Sequence, residues 1–263
     1  MKINVAGVLI DNLSKQEAIA ELDKIVRMDK NVYCVTPYSE LIVFALNDTE
    51  YKKVLNKAEI SLPDGIGVLW AAKYLSSPQI GLIKSLFAIL FNPKYIRLVI
   101  QEKISGSDLI YDIAKLAAEK NYSISLVGGS DNVAVQSSYE LKKLYPDLNI
   151  KLALSDRPFD DSIVKEISES NSDILLIAAS PPKQETWMAD NIQKLNVKAV
   201  LGLGGTFDYL AKKRPAAPNF MRSAGLEWLW RLITQPWRIK RIWNAVPVFV
   251  WKVYRYKVNN EQK

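Results

Sequence analysis

Ser123-Ile124-Ser125-Leu126-Val127-Gly128-Gly129-Ser130 is a short apolar run that ends on two glycines and leads straight into a helical pattern, Asn132–Leu144. The same unit recurs along the first two hundred residues. Strand-like runs fall at Ile3–Val8, Val32–Thr36, Glu59–Leu62, Ser123–Gly128, Asn149–Ala153, Ile174–Ala179 and Val197–Gly202. Helical patterns lie between them at Lys15–Arg27, Glu40–Leu46, Gly67–Tyr74, Ser107–Lys120, Asn132–Leu144, Ile163–Glu169 and Lys183–Leu195. Strands that alternate with helices predict an α/β, Rossmann-like fold: a mainly parallel sheet with helices on both faces. Ligands of such sheets collect at the carboxyl ends of the strands.

At 263 residues and 49% hydrophobic content, the chain can bury one substantial core. Its charge is unevenly spread. Residues 212–263 carry 12 of the 35 basic residues and only two acids, Glu227 and Glu261. Subtracted from 35 and 28, these leave 23 basic and 26 acidic residues for 1–211, so the body is about −3 and the tail +10. Five of the seven tryptophans (Trp228, Trp230, Trp237, Trp243 and Trp251) stand among the tail's cations. Indole rings interleaved with cations suit a water–lipid boundary. We divide the chain into an α/β core over 1–211 and a basic, helical, membrane-associating appendage over 212–263, whose removal from about residue 222 is expected to leave the core folded; the alternative is a helical pair packed permanently on the body, with Trp228 and Trp230 in the core. Nucleic acid is the weaker partner for this tail, because Leu229, Leu232, Ile239 and Ile242 fit lipid better than bases.

Histidine is absent, which excludes His-dependent triads and His-ligated zinc. Cys34 is the only cysteine, so no disulfide forms and a reducing compartment is expected. The N-terminal residues have no signal-peptide pattern, and no run reaches the roughly 18 apolar residues of a spanning helix. Residues Ile80–Gln101 interrupt the strand–helix rhythm with an apolar stretch joined to Lys94 and Arg97. Two readings stand for it: a second interfacial anchor, or a buried helical hairpin. Asn259–Lys263 reads as disordered.

Several strand ends carry residues suited to chemistry. Leu62-Pro63-Asp64-Gly65-Ile66-Gly67 sets a carboxylate between a strand and a helix, where Asp64 either caps the helix or faces a ligand. Thr36 ends the preceding strand and would stand beside it. Gly128 and Gly129, and again Gly204 and Gly205 before Thr206, either form tight turns or let backbone amides approach a phosphate. In Pro181-Pro182-Lys183-Gln184-Glu185 the helix dipole accounts for Pro182 and Glu185, whereas Gln184 could read sugar hydroxyls or a base edge. Ser107 is a candidate cap, with Asp108 favoured by the same dipole. No acidic cluster has metal-ligand spacing, and neither a metal nor a cofactor is called for.

These segments together resemble the WecG/TagA/CpsF glycosyltransferases (glycosyltransferase family 26). The resemblance rests on Thr36-Pro37-Tyr38-Ser39-Glu40, Leu62–Gly67, Gly106-Ser107-Asp108-Leu109, Val127-Gly128-Gly129, Pro182–Glu185, Gly204-Gly205-Thr206-Phe207-Asp208 and Gly225-Leu226-Glu227-Trp228. It continues through Arg231-Leu232 and Gln235-Pro236-Trp237-Arg238 to Arg241. It implies an inverting, metal-independent transfer of a sugar, often N-acetylmannosamine, from a UDP-sugar to a polyprenyl-diphosphate-linked saccharide at the cytoplasmic face of a bacterial membrane. Asp64 is then the general base, Thr36 and Gln184 line the sugar pocket, and Arg231, Arg238 and Arg241 meet the diphosphate. A base is needed because the attacking hydroxyl must lose a proton, and guanidinium forks suit charge building on a leaving diphosphate. The family also suggests self-association into a homo-oligomer.

The chain departs from the family pattern where Tyr38 replaces an asparagine, Lys103 replaces an arginine with loss of the bidentate fork, and Lys212–Pro218 lacks the usual glycine and arginine, with Ala216 in the altered stretch. These departures motivate a second reading, a catalytically weakened protein that binds UDP or a lipid-linked sugar in a glycan-assembly complex.

Overall fold

A computed structural model describes residues 1–157, 159–218, 221–222 and 225–261, with the side chains of Leu90 and Glu261 left out. Six strands form one sheet: β3 (Val32–Val35), β4 (Ile60–Ser61), β5 (Ser123–Gly128), β6 (Asn149–Leu154), β7 (Ile174–Ala178) and β8 (Ala199–Gly202). Their order is β4-β3-β8-β7-β5-β6, and each pairing is parallel. Alternate strand residues feed two cores: Tyr33, Val35, Leu175, Ile177 and Val200 face one side, and Cys34, Leu126, Ile174, Leu176 and Leu201 the other. That period of two, with both faces covered by helices, is the α/β arrangement that the alternating sequence pattern predicts.

The N-terminal run is not one strand of this sheet. It folds back as a separate antiparallel hairpin, β1 (Lys2–Val5) and β2 (Val8–Asp11). The turn places Ala6 at φ 52° and Gly7 at φ 89°, the double left-handed geometry of a tight two-residue hairpin turn. An alanine there conceals the turn from sequence reading. The hairpin is fixed to the edge of the sheet through Asp11, whose carboxylate accepts the Ser61 amide at 2.9 Å.

Of the helices, α1 (Lys15–Arg27) starts with a full capping box, Ser14 with Glu17. Helix α2 (Ser39–Asn47) is followed directly by α3 (Thr49–Lys57), an element that the sequence reading, which ends its helix at Leu46, leaves out. Asp48 ends the first, and its side chain caps the second by accepting from Glu50 and Tyr51. Helix α4 (Ile66–Leu75) follows β4, and α5 (Leu82–Phe91) and α6 (Pro93–Ile96) form the insertion. Ser85 in α5 is buried and accepts the Trp70 indole N–H at 3.1 Å, but Ile83, Phe87, Phe91 and Leu98 are exposed, so the segment is no buried hairpin. Further along come α7 (Gly106–Lys120), α8 (Val133–Leu144), α9 (Asp161–Ser170), α10 (Lys183–Asn191) and α11 (Thr206–Leu210).

The tail contains α12 (Glu227–Thr234), α13 (Ile239–Trp243) and α14 (Phe249–Glu261), with a π-helical turn at Asn244–Val248 around Pro247. Asn259–Glu261 belong to α14, which corrects the expectation of disorder there; Gln262 and Lys263 lie outside the described residues. No helix among the described residues is long and apolar enough to cross a membrane. The packing of α14 revises the idea of a separable appendage. Phe249 and Val253 are fully buried in the main core, Phe249 lies edge-on to Trp70 at 6.1 Å, and the Lys257 ammonium donates to the Ser77 carbonyl at 2.7 Å. The tail tryptophans take the opposite course, with Trp228, Trp237, Trp243 and Trp251 all exposed.

Removing a buried phenyl ring leaves a cavity, so Phe249→Ala should cost about 3–5 kcal/mol in urea unfolding of the full chain. A loss below about 1 kcal/mol would mean that α14 does not share the core.

Candidate functional site

A cleft of about 700 Å³ opens at the carboxyl ends of the strands and runs between the α/β body and the tail. Its floor is built by the residues that follow β3, β4, β7 and β8. Thr36, just past β3, donates its hydroxyl to the Gly202 carbonyl at 3.2 Å and so ties β3 to β8 at the rim. Asp64 follows β4, and its amide donates to the Pro37 carbonyl at 2.9 Å. Its carboxylate caps nothing: the N-cap of α4 is Gly65, at φ 99°, with no side-chain bond. Of the two roles open for Asp64 in the sequence, the structure therefore removes capping and leaves the carboxyl facing the cleft.

The Asp64 carboxyl keeps some exposure to the cleft yet is ringed by protein. Desolvation pushes it up to about 7; Glu227 adds to the rise, while Arg231 and Lys103 work against it. No described residue makes a hydrogen bond or ion pair with its carboxylate. Cys34 is out of reach of such chemistry, because it lies inside the sheet and burial pushes its thiol up to about 12.

Gln184 is placed differently from the expectation of a hydroxyl reader. It is buried, its carbonyl oxygen accepts the amides of Ala179 and Gly204, both at 3.0 Å, and its NH2 donates to Glu185 at 2.8 Å. One side chain thus stitches the turns after β7 and β8 together, and only its edge borders the cleft. Gly202 makes room for it, since a Cβ there would collide with the Gln184 amide. Glu185 is equally buried. It accepts the Tyr51 hydroxyl at 3.0 Å, and burial raises its carboxyl above the ordinary range. The helix dipole alone does not explain it.

Gly129, Ser130, Gly204 and Gly205 line the cleft, and several amides of the glycine-rich turns are already engaged. Gly128 and Gly129 line the turn after β5, where a Cβ on Gly128 would strike the Ala178 carbonyl and the Gly129 amide donates to that carbonyl at 2.7 Å. The amides of Asp131 and Asn132 are taken by the Asp156 carboxylate at 2.9 and 3.1 Å. These three amides have no bond left for a phosphate. Gly204 adopts φ 54° with its amide on Gln184, and Gly205 precedes α11. Ser107 is not the cap of α7; that position is Ser105. Asp108 pairs with Arg222 at 2.6 Å.

The tail closes the other side of the cleft with cations. Arg231, Arg238 and Arg241 all line it, joined by Arg214, a residue that sequence reasoning passed over because it lay in a stretch read only as a departure. Arg214 pairs with Asp208 at 3.2 Å. Arg241 donates to the buried Glu40 at 2.9 Å and to the Tyr38 hydroxyl at 2.8 Å, and that hydroxyl donates to Glu40 at 3.0 Å. Burial works against the charge on Arg241, but Tyr38 and Glu40 outweigh it and hold the proton more tightly. Burial pushes the Tyr38 phenol well above its ordinary value. Tyr38 and Glu40 therefore form the seat for Arg241. Lys103 plays a similar part by bonding Glu227 at 2.7 Å, which ties the loop before α7 to α12.

Arg231 and Arg238 differ from these. Among the described residues neither guanidinium has a hydrogen bond or a carboxylate partner; Arg231 lies 5.8 Å from the Tyr209 ring centre. Burial opposes the charge on Arg231 as well, but Tyr209, Asp64 and Glu227 outweigh it. For Arg238, burial and the repulsion of Arg214, Arg241 and Arg231 all lower the pKa. Among the described residues the cleft thus sets a desolvated carboxyl with no hydrogen bond, Asp64, on the body side against two guanidinium groups with no hydrogen bond or carboxylate partner on the tail side. Among the described residues no three acids or cysteines come together as a metal-ligand group.

The model of the Glycosyl transferase WecG/TagA/CpsF family matches residues 3–86 and 87–263. The chain belongs to this family. The family makes it a glycosyltransferase, in line with the sequence resemblance and in preference to a purely binding role. Its relatives include the N-acetylglucosaminyldiphosphoundecaprenol N-acetyl-beta-D-mannosaminyltransferases of Staphylococcus aureus strains MRSA252 and NCTC 8325 / PS 47. Each is 24% identical over 261 residues, covering 97% of this chain and 93% of the relative.

A raised carboxyl has a stability consequence. The native state holds the Asp64 proton up to about pH 7, whereas the unfolded chain releases it near 3.8, the ordinary value for an aspartate. Folding stability therefore falls as pH rises through that window, and the cost is fully present above it. Asp64→Asn removes the cost, so its stability advantage over the wild type should grow by on the order of 2 kcal/mol between pH 4.5 and pH 8 in urea unfolding. A constant difference would mean that the carboxyl titrates normally.

Proposed function

We propose that this glycosyltransferase moves N-acetylmannosamine or a related hexose from a UDP-sugar to a polyprenyl-diphosphate-linked saccharide, with inversion at the anomeric carbon. The observation that carries the reading is a desolvated carboxyl at Asp64, with no hydrogen bond among the described residues, facing across the same cleft arginines that lack a carboxylate partner among those residues. The names of the Staphylococcus aureus relatives supply the acceptor and sugar classes.

In this reaction the acceptor hydroxyl oxygen attacks the anomeric carbon as the bond from that carbon to the UDP oxygen breaks, and the bonding pair leaves with the diphosphate. The hydroxyl proton passes to Asp64. A carboxylate poised near neutral pH is a far better base than one titrating near 4, because it balances being ionised against its affinity for a proton. Arg231 and Arg238 receive the charge developing on the departing diphosphate in a site with little water to compete. Guanidinium groups supply that charge here, so the transfer is written without a metal. Thr36 and Tyr38 border the sugar end, and Gln184 acts as a positioning residue that fixes the turns around it. The apolar wall of the cleft, with Trp70, Leu86, Ile89, Ile242, Val246 and Phe249, suits a polyprenyl chain. A tail bearing exposed Trp237, Trp243 and Trp251 suits peripheral attachment at the cytoplasmic membrane face where such lipids are built on.

The test is UDP release from a panel of UDP-sugars with a short-chain polyprenyl-diphosphate N-acetylglucosamine as acceptor. Asp64→Asn should lower kcat by about 10²–10⁴ while UDP-sugar binding persists, and the wild-type rate should rise with pH through about 7, the value to which the Asp64 carboxyl is raised. An Asp64→Asn protein that transfers sugar at the full rate would remove the assignment. For the cations, Arg238→Ala should reduce kcat/KM by about a hundredfold or more, whereas an unchanged value would leave the arginines no part in the chemistry.

A further inference from the structure

Helix α5 has two unlike faces. Leu86 and Ile89 turn inward and line the cleft, beside Ile242, Val246 and Phe249 of the tail. Ile83, Phe87 and Phe91, spaced four residues apart, form a stripe on the outside. They are 71%, 58% and 76% exposed, and Leu98 beyond α6 is 67% exposed. The Phe87 and Phe91 rings stack on one another with centres 6.0 Å apart rather than on the body. Aromatic side chains so placed in water forgo the burial that stabilises them elsewhere, and a stripe of them marks a surface that meets another apolar phase.

The charges around the stripe decide which phase. Residues 76–101 contain Lys84, Lys94 and Arg97 and no aspartate or glutamate. All three cations are exposed, and none is paired with a described carboxylate. Apolar side chains flanked by cations without counter-charge match the headgroup layer of an anionic bilayer, where the rings sink among the acyl chains and the cations meet phosphate. We propose that α5 and the start of α6 dock into an anionic lipid surface, independently of the tail tryptophans, and that α5 serves as a threshold over which the prenyl chain of the acceptor passes from bilayer to cleft. This rests on the lipid-linked acceptor proposed above. Proximity supports it: one helix presents Phe87 outward and its neighbour Leu86 to the cleft, so the exposed stripe and the cleft wall belong to the same element.

The experiment uses the full chain. Flotation is measured with phosphatidylglycerol–phosphatidylcholine vesicles and with phosphatidylcholine alone, for the wild type, Phe87→Asp/Phe91→Asp, and Lys84→Glu/Lys94→Glu/Arg97→Glu. The double aspartate variant should bind mixed vesicles about tenfold or more weakly. The charge reversal should weaken binding to mixed vesicles by about a hundredfold or more, with little change on neutral ones. Both variants should retain the wild-type melting temperature and the wild-type rate on a detergent-dispersed, short-chain acceptor, because none of the five residues lines the cleft, while transfer to a long-chain acceptor in vesicles falls with binding. Variants that float like the wild type would overturn the role of α5 and leave the glycosyltransferase reading intact. Wild type inactive on every acceptor, with binding lost as described, would sink the catalytic reading instead. Concentration-dependent dimerisation without lipid that the aspartates abolish would assign the stripe to a second copy of the chain and overturn the proposal.

Discussion

Four guanidinium groups crowd one side of the cleft, and how their charge is balanced shapes the molecule. Two are neutralised by the body: Arg241 by Glu40 with Tyr38, and Arg214 by Asp208. Together with Lys103–Glu227 and Arg222–Asp108, these contacts hold the basic tail against a slightly acidic body. Among the described residues the other two, Arg231 and Arg238, have no carboxylate at ion-pair distance. Like charges brought together out of water repel strongly, and burial, with that repulsion added, lowers the pKa of Arg238. The fold tolerates it because the paired arginines and the burial of Phe249 fix the tail regardless. A multivalent anion entering the cleft would relieve it.

The opposite wall depends on Gln184. A buried amide with its oxygen on two backbone N–H groups and its nitrogen on Glu185 has little freedom to turn toward a ligand. It holds the turns after β7 and β8 in register, and Gly202 and Gly128 allow the close approaches that this requires. Rigid strand ends of this kind let a cleft stay open between a sheet and a tail without filling by collapse.

Much of this was legible in the sequence, for identifiable reasons. The parallel sheet followed from apolar runs alternating with helical spacing, and the cleft from chemistry-bearing residues that follow strands: Thr36, Asp64, Gly204. The hairpin was hidden because Ala6, an unfavoured residue for positive φ, occupies its turn. Helix α3 was missed because its sequence is mostly polar, with Tyr51 and Leu55 its only buried residues, and because it starts right after α2, with Asp48 serving both ends. Residues whose work lies in long-range pairing left no local signal. Glu40, Glu227 and Arg214 are separated from their partners by the length of the fold or by an irregular segment, and no spacing rule joins Glu40 to Arg241. The tail's tryptophans and its buried Phe249 look alike in composition, yet they face opposite ways.

The carboxyl and the arginines are also coupled to each other. Arg231 lowers the Asp64 pKa, and Asp64 in turn helps hold the proton on Arg231. Such coupling is reciprocal. An anionic diphosphate bound at the arginines would cancel part of their pull, so Asp64 would bind its proton more tightly and become the stronger base. In the proposed transfer, the growing charge of the leaving group would draw on the same guanidinium groups as the acceptor proton arrives at Asp64. With a desolvated carboxyl on one wall and the cations on the other, proton uptake and departure of a diphosphate would reinforce each other under the proposed mechanism. That follows from the electrostatics of the two walls, whichever hexose the cleft receives.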